Sequence, residues 1–223
     1  YWAKRVDYPV LAGWYEKDAA GGSYHKDEGE GCDFYKVGKN RGIGGIGIWT
    51  GDGLLVPEPY ESFAIDYRTP DSLSFTVSYP AIVTADDSIV LRETISMGLG
   101  DYYFKAAVSA SSASRRDLVL AAGLTTFGKA QILKDAERAS LNVVEQIEEI
   151  GESLGSSILA KESCFLGFAS RGSDELVLMS LPAGESAEFL AAAAWSRDGR
   201  FEQFAKKWSR VTGSATFSEI LGK

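Results

Sequence analysis

The amino-acid sequence predicts an all-β fold, a large antiparallel β-sandwich with a short C-terminal helix. From residue 60 onward, apolar and polar side chains alternate with a period of two, which is typical of strands that bury one face. Short polar segments at 86–87, 98–101 and 111–114 separate these runs, as turns do in antiparallel sheets. Hydrophobic residues make up 45% of the chain, which is enough to form a core.

The alternating runs predict the strands in chain order. They lie at residues 73–79, 89–95, 102–110, 118–125, 156–160, 164–170, 175–180 and 186–194. Residues 132–150 fit a helix or a strand, and we favour a strand over Asn142–Ile147 that follows a loop. Residues 1–20 combine Tyr and Trp with charged residues, which suits a binding surface and a strand pair equally well.

The predicted helix covers Arg200–Val211. Its apolar residues recur at helical spacing, and Ser196 or Asp198 is suited to cap its start. These apolar residues are Phe201, Phe204, Trp208 and Val211. No linker or repeat divides the chain, so we predict one domain, residues 1–223. Because the chain does not begin with Met, we expect it to be the C-terminal greater part of a longer domain.

Net charge, hydropathy and cysteine content limit the binding partners and sites that the sequence predicts. The formal net charge of -8 argues against nucleic acid, because the overall field repels a polyanion. No apolar run approaches the ~20 residues of a membrane-spanning helix, so no membrane span is predicted. Cys32 and Cys164 are compatible with one disulfide or with two thiols, and they form no zinc-binding motif.

The densest group of reactive side chains lies in Ser23–Gly38. It contains His25, the only histidine of the chain, directly after Tyr24. Histidine is the side chain that ordinarily exchanges a proton near neutral pH. Eleven of the 24 glycines fall between residues 21 and 53, which predicts turns that let side chains converge. We therefore predict that this segment carries the chemistry.

Four carboxylates follow His25 within eight residues, and this cluster has three interpretations. The residues are Asp27, Glu28, Glu30 and Asp33. They suit a calcium loop, since Ca²⁺ prefers oxygen ligands, although the spacing is not that of an EF-hand. They also suit a role in orienting His25 and nearby cations, or a solvated acidic turn. We favour the orienting role and predict no metal and no cofactor.

The segment Gly42–Gly47 formally matches G-x-G-x-x-G, but it does not predict a dinucleotide site. Such a site follows an apolar strand and opens a helix. Here polar residues precede the glycines, and residues 48–53 resemble the end of a strand and a turn. The glycines instead predict a tight bend that keeps the backbone close to a ligand or a neighbouring strand.

Several stretches resemble a bacterial family that is catalogued as a domain of unknown function and encoded among polysaccharide-utilisation genes, often beside unsaturated-uronyl hydrolases. The stretches are Tyr8–Val10, Trp14-Tyr15, Tyr24–Gly31, Asp33–Gly38 and Arg41–Gly45. The resemblance implies a sandwich like that of galactose mutarotase and of some polysaccharide lyases. It also implies a periplasmic or secreted protein that acts on acidic oligosaccharide or polysaccharide, by elimination at uronic acid to leave an unsaturated uronate.

Elimination beside a carboxylate needs a cation, a base and an acid. The cation draws charge from the substrate carboxylate, and Arg41 is the first choice because guanidinium binds carboxylate bidentately. Lys26 and Lys36 are its possible assistants. His25 is the candidate base that removes the C5 proton.

The remaining roles are proton donation and sugar stacking. Tyr35 or Tyr24 is the candidate acid that protonates the departing oxygen. Trp14, Trp49 and Trp195 are candidates to stack on sugar faces.

Two other functions fit the same residues. A non-catalytic carbohydrate-binding module needs the aromatic and polar groups but no proton-transfer pair. A mutarotase or epimerase needs a paired acid and base, for which His25 would be matched with Glu28 or Glu30. The sequence leaves the polysaccharide and the oligomeric state open.

Overall fold

The computed structural model describes residues 3–4, 6–33, 37–51, 53–101, 103–147 and 152–196. Within these ranges the chain forms strands, one α-helix and one 3-10 turn at Glu162–Cys164, and the strands pair antiparallel. The predicted all-β, antiparallel sandwich is therefore confirmed. The helix predicted over Arg200–Val211 lies outside the described residues.

The elements are numbered in chain order. The first are β1 (Ala3–Lys4), α1 (Leu11–Ala19), β2 (Gly31–Cys32), β3 (Ile43–Trp49) and β4 (Leu54–Leu55). Then follow β5 (Ser62–Arg68), β6 (Ser72–Ser78), β7 (Ile82–Val83), β8 (Ser88–Gly98) and β9 (Tyr103–Ser112). The last are β10 (Leu118–Thr125), β11 (Ala130–Asp135), β12 (Ser140–Ile147), β13 (Glu152–Ala160), β14 (Phe165–Arg171), β15 (Asp174–Leu181) and β16 (Ser186–Trp195).

Two unequal sheets pack face to face. The smaller has five strands in the order β14-β15-β10-β3-β4, and the larger follows the order β11-β12-β13-β16-β9-β8-β6-β5, with β7 paired to β8. Strands β3, β10 and β15 pack against β12, β13 and β16. The core between them contains Leu120, Leu124, Ile158 and Phe189, none of which is exposed. A separate pair, β1 with β2, holds the N-terminal segment.

The sequence patterns explain which strands were predicted. Leu118–Thr125 is almost continuously apolar and buried, and its predicted bounds are those of β10. In β8, Ile89 and Leu91 face the core while Arg92 is exposed, as the alternation predicts. The favoured strand at Asn142–Ile147 is confirmed within β12. The loop expected before it contains a further strand, β11, whose side chains are largely exposed and so carry little burial signal.

The N-terminal 20 residues differ from the prediction. Leu11–Ala19 forms helix α1, Ala3–Lys4 forms a short strand that pairs with β2, and the aromatic residues Tyr8 and Tyr15 are exposed. Ala and charged residues with good helix propensity occupy most of α1, Pro9 precedes it and Gly21 follows at φ 86. A nine-residue helix with Trp14 as its one buried residue is too short to show a clear apolar period.

Glycines in β3 let this strand approach its neighbours closely, as the sequence predicted for the segment. The segment forms a strand, not a strand-to-helix turn. A Cβ at Gly44 would lie 2.9 Å from the Phe104 ring of the larger sheet. A Cβ at Gly45 would lie 2.2 Å from the carbonyl oxygen of Arg41, which also accepts the Gly45 N–H.

The cysteines and the single helix add two facts. Cys32 and Cys164 are both thiols in the structure. The Cys164 Sγ donates to the carbonyl of Lys161 at 3.2 Å. Within the described residues, no helix is long and apolar enough to span a membrane.

Glu93 is a carboxyl group buried on the core-facing side of the larger sheet. Glu93 of β8 is 5% exposed, and the Tyr79 hydroxyl donates to it at 2.6 Å. Burial raises the pKa of Glu93 to about 7, although the Tyr79 hydrogen bond acts in the opposite direction. Burial, assisted by the charge of Glu93, also raises the pKa of Tyr79, so this phenol stays protonated.

Glu93 makes stability depend on pH. Below its ordinary pKa of about 4.5 the carboxyl is neutral whether the chain is folded or unfolded, so its burial is not penalised. As pH rises from about 4.5 through about 7, the unfolded chain ionises first and stability falls, by roughly 2–3 kcal/mol. We expect Glu93→Gln to remove this fall, which urea unfolding at pH 4.5 and pH 8 would measure. An equal pH dependence in both proteins would contradict the assignment.

The approach of Gly45 to Arg41 predicts a strong size limit. We expect Gly45→Ala to destabilise the fold by at least about 2 kcal/mol, because the new methyl group meets a backbone atom that cannot move freely. Gly13→Ala in α1 is the control, since its Cβ meets nothing within 4 Å and alanine favours a helix by roughly 0.5–1 kcal/mol. Thermal unfolding of both variants tests the contrast.

Candidate functional site

The loop that carries His25 joins α1 to β2 and is closed by backbone contacts. The Asp33 N–H donates to the Tyr24 carbonyl at 2.9 Å, which connects the residue after β2 to the middle of the loop. Next to it, Cys32 pairs with Ala3 in the β1–β2 ladder. The loop is therefore held in its middle and at its β2 end, although it contains little regular structure.

The ring of His25 has a defined orientation. Its Nδ1 atom contacts the carbonyl oxygen of Asp33, and the ring is half-buried. A carbonyl oxygen only accepts, so Nδ1 carries the proton and Nε2 presents a lone pair. The His25 N–H also donates to Ser23 Oγ at 3.1 Å. This arrangement gives His25 the tautomer of a general base.

Tyr24 lies against the same ring. The ring centroids of Tyr24 and His25 are 4.4 Å apart with planes tilted by 50°, and Tyr15 of α1 meets Tyr24 edge-on at 5.8 Å. Partial burial, followed by the negative charges of Asp18 and Asp33, raises the pKa of Tyr24. The phenol therefore stays protonated at neutral pH and is suited to donate a proton.

The carboxylates around His25 hold the loop and α1 together. Glu28 pairs with Lys17 at 2.5 Å, and this contact lowers the pKa of Glu28. Glu30 accepts from the Tyr8 hydroxyl at 2.6 Å and from the Trp14 indole N–H at 3.1 Å, and these bonds lower the pKa of Glu30.

Asp27 and Asp33 act through the backbone. The Asp27 carboxylate accepts from the N–H groups of Gly29 and Gly31, both at 2.9 Å, and so shapes the turn. Asp33 contributes its carbonyl to His25. These carboxylates thus shape the loop, while the His25 ring contacts a backbone oxygen, so their role in orienting His25 stays a prediction. No set of three or more His, Cys, Asp or Glu side chains among the described residues is arranged to hold a metal ion.

Arg41 has a structural environment that the sequence did not predict. Its guanidinium donates to the carbonyls of Ile46 at 3.2 Å and Lys39 at 3.0 Å, and its Nε is buried without a partner. Its backbone N–H donates to the buried Asp174 carboxylate at 2.9 Å. Partial burial lowers the pKa of Arg41. In the described part of the chain, Arg41 and His25 share no hydrogen bond. The contacts of Arg41 instead stabilise the start of β3.

The three tryptophans proposed to stack on sugar differ in exposure. Trp14 is 4% exposed and Trp195 is not exposed at all. The prediction that these two present a face to sugar is therefore wrong for this structure. Trp49 is half-buried and packs near Leu54 on the smaller sheet.

Of the predicted lysines and the second tyrosine, only Lys26 is described, and it is exposed. Tyr35 and Lys36 lie outside the described residues, so their roles stay predictions. Sequence reasoning missed Tyr8, Lys17 and Tyr15, which complete the environment of the loop. Helical spacing of Trp14 and Lys17, three residues apart on α1, is the signal that would have found the pair.

Comparison with known proteins places the chain among sequence relatives. The family described as "Domain of unknown function (DUF4861)" matches residues 1–212. "Uncharacterized protein P7" of Formosa agariphila is 26% identical over 161 residues, which are 71% of this chain and 40% of that protein. The chain thus spans about two fifths of the length of this relative.

The matches to solved structures are more distant in sequence. A putative kojibiose phosphorylase from human microbiome is 10% identical, with a TM-score of 0.47 over 79% of this chain and 26% of that chain. The GH36 α-galactosidase AgaB from Geobacillus stearothermophilus is 10% identical, with a TM-score of 0.34 over 78% and 32%. The match over residues 1–212 decides the family: the chain belongs to the family described as domain of unknown function DUF4861.

Proposed function

We propose that this protein acts on acidic oligosaccharides or polysaccharides in the periplasm or outside the cell, by elimination at a uronic acid residue. The observation that supports it is the His25 ring, whose Nδ1 is fixed by the Asp33 carbonyl while Nε2 remains available as a base. The resemblance of Tyr24–Gly31 and Asp33–Gly38 to a polysaccharide-utilisation family points to the substrate class.

The proposed reaction conserves atoms and charge. His25 Nε2 takes the C5 proton of the uronate, and the electron pair of that C–H bond forms the C4–C5 double bond. The C4–O bond breaks, and the departing oxygen takes a proton from the Tyr24 hydroxyl. The products are a 4,5-unsaturated uronate and either water or a shortened sugar. Proton return from imidazolium to phenolate restores both groups.

The substrate carboxylate needs a positive charge beside it, and Arg41, the residue predicted for this role, already uses two of its donors on backbone carbonyls. Lys26 follows His25 directly and is exposed, so it takes this role in the proposal. A local cation is required because the chain as a whole carries a net charge of -8. Lys36 is its predicted assistant.

A mutarotase or epimerase has less support. That function needs an acid–base pair, which would be His25 with Glu28 or Glu30. In the structure Glu28 is paired with Lys17, and Glu30 accepts hydrogen bonds from Tyr8 and Trp14. A non-catalytic binding module remains the second candidate, because the loop also offers hydrogen-bond donors at an exposed surface.

Removal of the base should abolish product formation. We expect His25→Ala to reduce the initial rate by on the order of 10²-fold or more, because a positioned general base accelerates proton transfer by at least this factor. The measurement is the ultraviolet absorbance of the conjugated unsaturated uronate, on a panel of uronate oligosaccharides with the full polypeptide. Added imidazole should restore part of the rate. Retained sugar binding with no product from the unaltered protein would instead support the binding module.

The proton donor can be separated from ring packing. We expect Tyr24→Phe to lower kcat by on the order of 10-fold or more and to leave the fold intact, because the ring contacts are kept and only the hydroxyl is lost. Tyr15→Phe is the matched control, and its kcat should stay near that of the unaltered protein. Equal losses in both variants would assign the effect to packing.

The role of Lys26 concerns binding and charge. We expect Lys26→Ala to raise KM several-fold for uronate substrates, and the increase should shrink at high salt because the lysine is exposed. Lys39→Ala, another exposed lysine, serves as the charge-matched control. A KM that does not change would remove Lys26 from the site.

A further inference from the structure

The ring contact of His25 joins two parts of the chain that are held by different elements. Its partner, the Asp33 carbonyl, directly follows β2, which pairs with β1. His25 itself follows Tyr24, whose ring packs edge-on against Tyr15 of α1 at 5.8 Å. One backbone bond, from the Asp33 N–H to the Tyr24 carbonyl, also crosses between the two parts. The distance from the His25 ring to its partner therefore depends on how β2 is placed relative to α1.

Glu30 connects β2 to α1 directly. It is the residue before β2, and its Oε2 atom accepts from the indole N–H of Trp14 at 3.1 Å. Trp14 is the buried residue of α1, at 4% exposure, so its indole is fixed relative to the helix. Because the acceptor is a carboxylate, this hydrogen bond is stronger than one between two neutral groups.

Tyr8 binds the second oxygen of the same carboxylate. Its hydroxyl donates to Oε1 of Glu30 at 2.6 Å, and its carbonyl accepts from Nζ of Lys4 at 3.0 Å. Lys4 belongs to β1, the strand that pairs with β2. The hydrogen bonds from Tyr8 and then Trp14 lower the pKa of Glu30, so the carboxylate is charged at neutral pH. The segment before α1, the helix itself and β2 thus meet at one carboxylate.

The tautomer of His25 is the property that this arrangement controls. The Asp33 carbonyl only accepts, so its contact with Nδ1 favours the form in which Nδ1 carries the proton. A base that acts through Nε2 needs this tautomer. If β2 shifts relative to α1, the Nδ1 contact weakens and the proton distributes between the two ring nitrogens. Only part of the molecules then presents a lone pair at Nε2.

We propose that Tyr8 and Trp14 are positioning residues, which act through Glu30 to hold β2 against α1 and thereby keep His25 in the Nδ1-protonated tautomer. This role rests on the proposed function of His25 as a base. Their effect passes through the Asp33 carbonyl. Trp14 thereby has a role that does not require its buried ring to contact sugar.

The single histidine of the chain makes its tautomer directly measurable. Two-bond ¹H–¹⁵N correlation NMR reports which ring nitrogen carries the proton, on protein without a histidine tag at about pH 8, where an ordinary histidine is neutral. We expect the Nδ1–H form in the unaltered protein. We expect Tyr8→Phe and Glu30→Gln each to lower the ratio of the Nδ1–H form to the Nε2–H form by about 5-fold or more, the effect of weakening one hydrogen bond.

Tyr60→Phe and Glu58→Gln are the matched controls. Tyr60 is 56% exposed against 48% for Tyr8, Glu58 is also exposed, and both lie between β4 and β5. Their tautomer ratio should equal that of the unaltered protein. In uronate kinetics, kcat of Tyr8→Phe should fall in proportion to the remaining fraction of the Nδ1–H form. Its KM should stay unchanged, because Lys26 is left in place.

The outcomes separate positioning from other roles. An unchanged tautomer ratio in both Tyr8→Phe and Glu30→Gln, with circular dichroism showing an intact fold, would overturn the proposal. An Nε2–H form in the unaltered protein would overturn it as well. A lower kcat of Glu30→Gln at an unchanged ratio would assign Glu30 a direct part in the chemistry instead. If the ratio shifts as expected but the unaltered protein forms no product from any uronate, control of the tautomer is confirmed and the elimination chemistry is not.

Discussion

Burial of apolar side chains between two sheets of unequal width is the interaction on which the described structure depends. The central strands β10 and β16 are buried on both faces, and their side chains form the centre of the core. Glycines in β3 then bring the smaller sheet close enough for Phe104 and Ala191 to fill the space a side chain would take. Glu93, a carboxyl buried on the core-facing side of the larger sheet, accepts a hydrogen bond from the Tyr79 phenol.

Particular residues show why some of the fold could be predicted and some could not. The β10 strand was predicted with its observed bounds because its apolar run reflects its own burial. The β11 strand was missed because its residues are largely exposed, and strand pairing alone leaves no composition signal. Helix α1 was missed because its one buried residue, Trp14, cannot define a period. Elements with many buried side chains were therefore predictable from the sequence, and elements that are largely exposed were not.

The candidate site shows the same division. Its location around His25 was predicted from residue types, since reactive side chains and glycines cluster there. Its internal geometry was not, because the partner of His25 is the carbonyl of Asp33, and backbone oxygens are identical at every position. Arg41 was predicted to bind the substrate carboxylate for its chemistry, and the sequence did not show that carbonyls brought together at the start of β3 would receive two of its donors. The sequence thus identifies residues with suitable side-chain chemistry, and the folded backbone determines which contacts they make.

The two thiols have a consequence for where this protein can fold. Cys32 is buried beside the N-terminal strand pair, and the Cys164 thiol donates to a carbonyl, so no covalent bridge links the His25 loop to the sandwich. The described fold is held by packing, hydrogen bonds and ion pairs, none of which requires an oxidant to form. Reducing agents should therefore leave the described fold intact.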